Sequence, residues 1–109
     1  MSDEAMLLGL VEMVRRSSRI GLRDQLYHAA ARYAGLRVDW ALADPAERAA
    51  LDGPRKSAHD AFIDHCNILS RNMAACGESN DWRRELGDDR KTLGDFACWL
   101  TLSLALSAR

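Results

Sequence analysis

The sequence predicts an all-α protein, a compact bundle of five or six helices with short connections, forming a single domain over residues 1–109. Three observations predict it. Two prolines and seven glycines in 109 residues punctuate the chain too sparsely for many short strands. Apolar residues recur at spacings of three and four, the period of a helix face. Helix-boundary residues stand at the ends of those periodic stretches, most plainly Asp44-Pro45-Ala46-Glu47, Gly77 and Gly87. Hydrophobic residues at 48% and charged residues at 28% give such a bundle both a core and a solvated face.

Taken in order, Ser2 is placed to cap a first helix, with Asp3 and Glu4 at its dipole-positive end. Met6, Leu10, Met13 and Val14, widened by Leu7 and Val11, form its apolar stripe. Arg15, Arg16, Arg19 and Arg23 follow with no acid among them. A second helix is expected over about residues 22–34, burying Leu22, Leu26, Ala29, Ala30 and Tyr33, with Gly35 ending it. Residues 36–43 stay open. Val38, Trp40 and Leu42 alternate as in a strand, yet no partner strand exists for them.

Asp44-Pro45-Ala46-Glu47 starts a helix, with Asp as cap and Pro at the first helical position. Asp52-Gly53-Pro54 is expected to break it. A long central helix then covers about residues 55–76, closed by Gly77. Ser79-Asn80 caps one further turn, residues 81–86, closed by Gly87. Asp88 is expected to cap the last helix, running from Asp89 to near the C-terminus.

On the central helix, with Ala58 set to zero, Phe62, Cys66, Leu69, Met73 and Cys76 fall within about 80°. Ala61 and Ile68 widen the arc, and Asp60, Asp64, Asn67 and Arg71 lie opposite. His65 and Asn72 fall inside the apolar arc and are expected to be buried and hydrogen-bonded. An unpaired buried polar group costs on the order of 1–3 kcal/mol.

Several chemistries fail on charge or spacing. A net charge of −1, from 15 basic and 16 acidic residues, argues against a general polyanion binder and against an acidic mimic of DNA. No specific nucleic-acid partner is expected, because the Arg15–Arg23 cluster has no interleaved aromatic residue. No CxxC pair exists, and Cys66 and Cys76 stand about 15 Å apart along one helix. With Cys98 they read as reduced thiols, which points to a cytoplasmic protein, and the acidic opening Met-Ser-Asp-Glu is unlike a secretory signal. The most apolar stretch, Phe96 to Ala108, is interrupted by Thr101, Ser103 and Ser107 and is too short for the roughly 20 residues of a membrane span. No cofactor or metal is expected. His59 and His65 lie about 120° apart around their helix and cannot grip one ion. Phosphate-cradling glycine motifs are absent.

The C-terminal third holds the candidate contact residues. Trp82, Arg83, Arg84, Asp88, Asp89 and Arg90 are the kinds of side chain that make directed contacts, either with a partner or within the bundle, where Trp82 would anchor the short turn and Arg83, Arg84 and Arg90 would pair with Glu85, Asp88 and Asp89. The last helix is expected to bury Leu93, Phe96, Ala97, Leu100 and Leu104, while Cys98, Trp99, Leu102 and Leu106 make its far side apolar as well. Such a helix needs cover on both sides. If the first helix supplies it the protein is a monomer, which is the favoured expectation. Otherwise Trp99, Leu102 and Leu106 form a homodimer or target interface.

Three strings, Arg55-Lys-Ser-Ala-His-Asp-Ala-Phe-Ile-Asp64, Asn67-Ile-Leu-Ser-Arg71 and Trp82-Arg-Arg-Glu-Leu-Gly-Asp-Asp-Arg-Lys91 continuing to Gly94-Asp-Phe-Ala-Cys98, resemble a family of small helical proteins of unknown function from bacteria, prophages and other mobile elements. The resemblance covers residues 47–109. It implies a helical fold and a mobile-element setting, and no mechanism. The resulting expectation is a non-catalytic protein-binding or regulatory protein, in its most specific form an inhibitor of a host defence complex of the anti-CRISPR type. The alternative is an enzyme like the HD-type metal-dependent phosphohydrolases, for which His28, His59-Asp60 and Asp95 occur in the required order, although His28 falls on a polar face.

Overall fold

The computed structural model describes residues 3–107. These form five helices: α1 (Asp3–Arg15), α2 (Ile20–Leu42), α3 (Pro45–Ala75), α4 (Asp81–Leu86) and α5 (Arg90–Ser107), with no strand among the described residues. The all-α bundle and its short connections follow the sequence. At 1.5 Å per residue, α3 is about 46 Å long, and it sets the 47 Å long axis of the molecule. α2 packs along both α3 and α5, and α1 lies across α5 and α4.

The core is threaded by aromatic contacts. His59 meets Tyr33 edge-on, Tyr33 leans on Phe62, Phe62 on Phe96, and Phe96 stacks with Trp82, at centroid separations of 5.3, 5.9, 6.2 and 6.1 Å. Leu7, Leu10, Val11 and Val14 of α1 and Leu93, Phe96, Ala97 and Leu100 of α5 close around this row. Burying each large apolar side chain is worth roughly 1.5–3 kcal/mol, so this row and its neighbours dominate the stability.

Two helices run on past the stops expected from the sequence. α2 does not stop at Gly35 but continues to Leu42, so residues 36–43 are helical. Gly35 does not adopt the positive φ of a terminator, whereas Gly77 and Gly87 do, at 85° and 70°. The extension is held by tertiary contacts that override the weak helix propensity of glycine. Likewise α3 does not break at Asp52-Gly53-Pro54. Trp40, near the end of α2, bridges the site of the expected break. The guanidinium of Arg48 lies 4.2 Å from its ring centroid and that of Arg55 lies 4.4 Å away. Its indole Nε1 donates to Asp52 Oδ1 at 3.2 Å. Residues 48, 52 and 55 share one helix face on both sides of Pro54, so a single indole pins the turns that proline weakens. Arg48 also donates to the Trp40 and Ala41 carbonyls, which satisfies acceptors left open at the end of α2.

The start of α3 and the ends of α3 and α4 are as read, and the expected Ser2 cap lies outside the described residues. Asp44 caps α3, accepting from the Glu47 N–H at 2.9 Å. α3 ends in a Schellman motif, with Glu78 N–H donating to the Met73 carbonyl and Gly77 N–H to that of Ala74. Glu78 then accepts from Ser17 Oγ and Ser18 N–H, tying the α1–α2 turn to the α3–α4 turn. The cap of α5 is shifted by one residue. Asp89, not Asp88, accepts from the Thr92 N–H and hydroxyl at 3.0 and 2.9 Å.

Along α3 the buried residues are Ala58, Phe62, Cys66, Leu69, Ser70 and Met73. Ser70 moves the centre of the buried arc away from His65 and Asn72. Both of these are therefore half-buried rather than sealed in the core. Asn72 satisfies itself locally, donating from Nδ2 to the Ile68 carbonyl at 2.8 Å.

Candidate functional site

The Trp82–Arg90 segment divides once its environment is known. Trp82 is 0% exposed, donates from Nε1 to Met73 Sδ at 3.3 Å and stacks on Phe96. It anchors α4 in the core and leaves the set of contact residues. Arg83 is turned inward too, donating to Asn67 Oδ1, the Gly87 carbonyl and Asp88 Oδ1 at 2.7–2.8 Å. Asp89 is the α5 cap. Arg84 pairs with Asp81 on the surface, and Arg90 is exposed.

The outer side of α5 is different. Leu102 and Leu106 are 51% and 64% exposed, while Trp99 is half-buried against the core. Leu104, expected inside, is 46% exposed. It lies on the same side as Leu93 and Leu100, but further along α5, where it lines a shallow recess with Arg15, Arg23, Asp24 and Tyr27. The first helix does not provide the expected cover for Leu102 and Leu106, because its buried residues Leu7, Leu10, Val11 and Val14 are committed to the core.

The residues of the metal-enzyme alternative are dispersed. His28 is exposed on α2. His59 rests against Tyr33 with Nδ1 3.4 Å from Asp60 Oδ1, and its Nε2 is buried without a hydrogen-bond partner. Asp95 is held by Arg37 and Lys91 at 3.4 and 3.0 Å. Among the described residues no three His, Cys, Asp or Glu side chains converge as metal ligands. No helix among them is long and apolar enough to cross a membrane.

No protein-family model, curated protein or solved structure matches the chain.

All three cysteines are free thiols, in unequal settings. Burial pushes the Cys66 thiol up to about 12, which leaves it inert as a nucleophile. Cys76 is exposed, and Cys98 accepts a long contact from Arg37 Nη1 at 3.5 Å.

The sequence reading passed over Arg37, which reaches from α2 across to α5. A Cβ built on the buried Gly94 would stand 2.5 Å from Arg37 Cζ, so the guanidinium lies directly on the α5 backbone and any side chain at 94 would push it aside. The available signal was the single glycine inside an otherwise strong helical pattern, which often marks a close approach.

Proposed function

We propose that the chain is a non-catalytic binding protein that engages a protein partner through the C-terminal turns of α5. The observation that carries this reading is the exposure of Leu102, Leu104 and Leu106, at 46–64%, on a helix whose preceding turns are sealed. Three leucines around one helix end cannot all be covered by a flat neighbour, so the fitting partner surface is concave and apolar. An inhibitor of a host defence complex is the narrower form of this reading, supported by the mobile-element resemblance of residues 47–109.

The test uses the full chain and Leu102→Asp. Both are examined by sedimentation and thermal unfolding, and both serve as bait in the native host. A monomeric chain whose captured protein is lost on substitution, at unchanged melting temperature, supports the proposal. Unfolding by Leu102→Asp shows the face is covered within the chain and overturns it. A dimer that the substitution turns into a folded monomer shows that the face serves self-association instead.

A further inference from the structure

A second feature is independent of the leucine face. Tyr33, Arg37, Arg55, Arg90 and Lys91 line a cleft of about 310 Å³ where α2, α3 and the start of α5 meet. Four of its five lining residues are cationic and none is acidic, in a chain whose net charge is −1. Asp95 offsets part of this charge, leaving the cleft with more cations than carboxylates bonded to them. Asp89 caps the helix, and Asp95 holds Lys91 at 3.0 Å and Arg37 at a longer 3.4 Å.

The arrangement opposes ordinary helix electrostatics. Arg90 and Lys91 stand in the first turn of α5, which has no acid, at the dipole end that favours negative charge. Arg55 is steered by stacking on Trp40, and Arg37 is laid against Gly94, where a side chain would displace it. At least two of the cations are therefore positioned by other contacts, which lowers the cost of ordering them around a ligand. Tyr33 is only 3% exposed, yet it lines the cleft. A phenol and guanidinium groups lining one cleft are complementary to a tetrahedral oxyanion.

We propose that this cleft binds the phosphoryl group of a small phosphorylated ligand. The cations are gathered in one recess rather than spread along a groove, which fits a compact anion better than a nucleic-acid strand.

The full chain is titrated with inorganic phosphate and with pyrophosphate, followed by calorimetry and by amide NMR shifts. Saturable binding with shifts centred on residues 33, 37, 55, 90 and 91 is expected. Tighter binding of pyrophosphate identifies a ligand with linked phosphates, and equal binding identifies one with a single phosphoryl group. Arg90→Gln removes an exposed side chain, and Tyr33→Phe keeps the buried ring. Each should weaken binding by about threefold to tenfold without lowering the melting temperature. Arg71→Gln, about 24 Å along α3 from Arg55, should leave it unchanged. The proposal is overturned if neither anion saturates at millimolar concentration, or if Arg71→Gln weakens binding as much as Arg90→Gln. It is also overturned if a short oligonucleotide binds while both small anions fail.

Discussion

Two tryptophans, each with arginine close by, sit in opposite parts of the bundle and do different work. Trp82 lies inside, against Met73 and Phe96, and its neighbour Arg83 closes the α4 turn by bonding to Asn67, Gly87 and Asp88. Trp40 lies near the surface, with two guanidiniums on its ring and its indole N–H on Asp52. In the sequence the first looks like a contact hot spot and the second like part of an unassigned linker. The fold takes the other reading of the first, with Trp82 anchoring the α4 turn and Arg83 paired with Asp88, and gives the second a structural role. An indole followed by arginines in a single helical turn is most easily satisfied by burying the ring and spending the charges locally. An indole at the end of one helix is available to the face of the next.

The largest expected effect follows from the buried member. Trp82→Ala removes the largest fully buried side chain and leaves Phe96 and Met73 facing a void. It should cost about 3–5 kcal/mol in denaturant unfolding. A loss below about 1 kcal/mol would mean that α4 packs loosely and that Trp82 is free to meet a partner after all.

Trp40→Ala should cost less, about 1–2 kcal/mol, because each partly exposed cation–π contact is worth roughly 0.5–1 kcal/mol. Its effect should also be local. Amide exchange should quicken over residues 46–54, the turns around Pro54, while the amides of residues 58–73 keep their protection. Uniform acceleration along the whole of α3 would show that the indole does not act as a splint across the proline.

Most of the fold was legible for a physical reason. Helix periodicity, the Asp44 cap and the Gly77 and Gly87 terminators are local, and local signals survive into the structure. Gly35 and Pro54 misled because their effects are also local but small enough to be overruled by contacts between residues distant in sequence. Arg37 over Gly94, 57 positions along the chain, leaves only a weak trace in the sequence. The leucine face of α5 was visible as a helix apolar on all sides, but its exposure depended on where α1 spends its own stripe. The cationic cleft was invisible, since Arg37, Arg55 and Arg90 belong to three different helices.

The two arginines of α4 give a finer comparison. Arg83 is mostly covered, and its guanidinium meets three acceptors, while Arg84 is exposed and touches only Asp81. Arg83→Ala should destabilise by about 1.5–3 kcal/mol, since Asn67 and the Gly87 carbonyl lose a charged donor. Arg84→Ala should be close to neutral, because an exposed ion pair is worth about 0–1 kcal/mol. Equal losses in the two variants would show that the α4 turn is held by general charge rather than by directed bonds.

The smallest effect is read in acid and bears on both tryptophan regions at once. Asp44 caps α3 beside Trp40, and Asp89 caps α5 beyond the Trp82 turn. Asp44 is held below the usual carboxylate range, first by the backbone hydrogen bond from Glu47, and Asp89 first by that from Thr92. A carboxylate with a lower value in the folded state than in the unfolded one adds stability above the unfolded value, and that stability is lost as pH falls through the folded value. Both caps should therefore contribute fully at neutral pH and fade below about pH 4. In an NMR titration the Asp44 and Asp89 carboxyl groups should protonate below 3.8, the ordinary aspartate value. Asp89→Ala should lower the melting temperature at pH 7 and have little further effect at pH 2–3, whereas Asp88→Ala, which removes only the exposed end of a pair with Arg83, should have a much smaller effect at pH 7. If Asp88→Ala has the larger effect and Asp89→Ala almost none, the cap belongs one residue earlier, where the sequence pattern first put it.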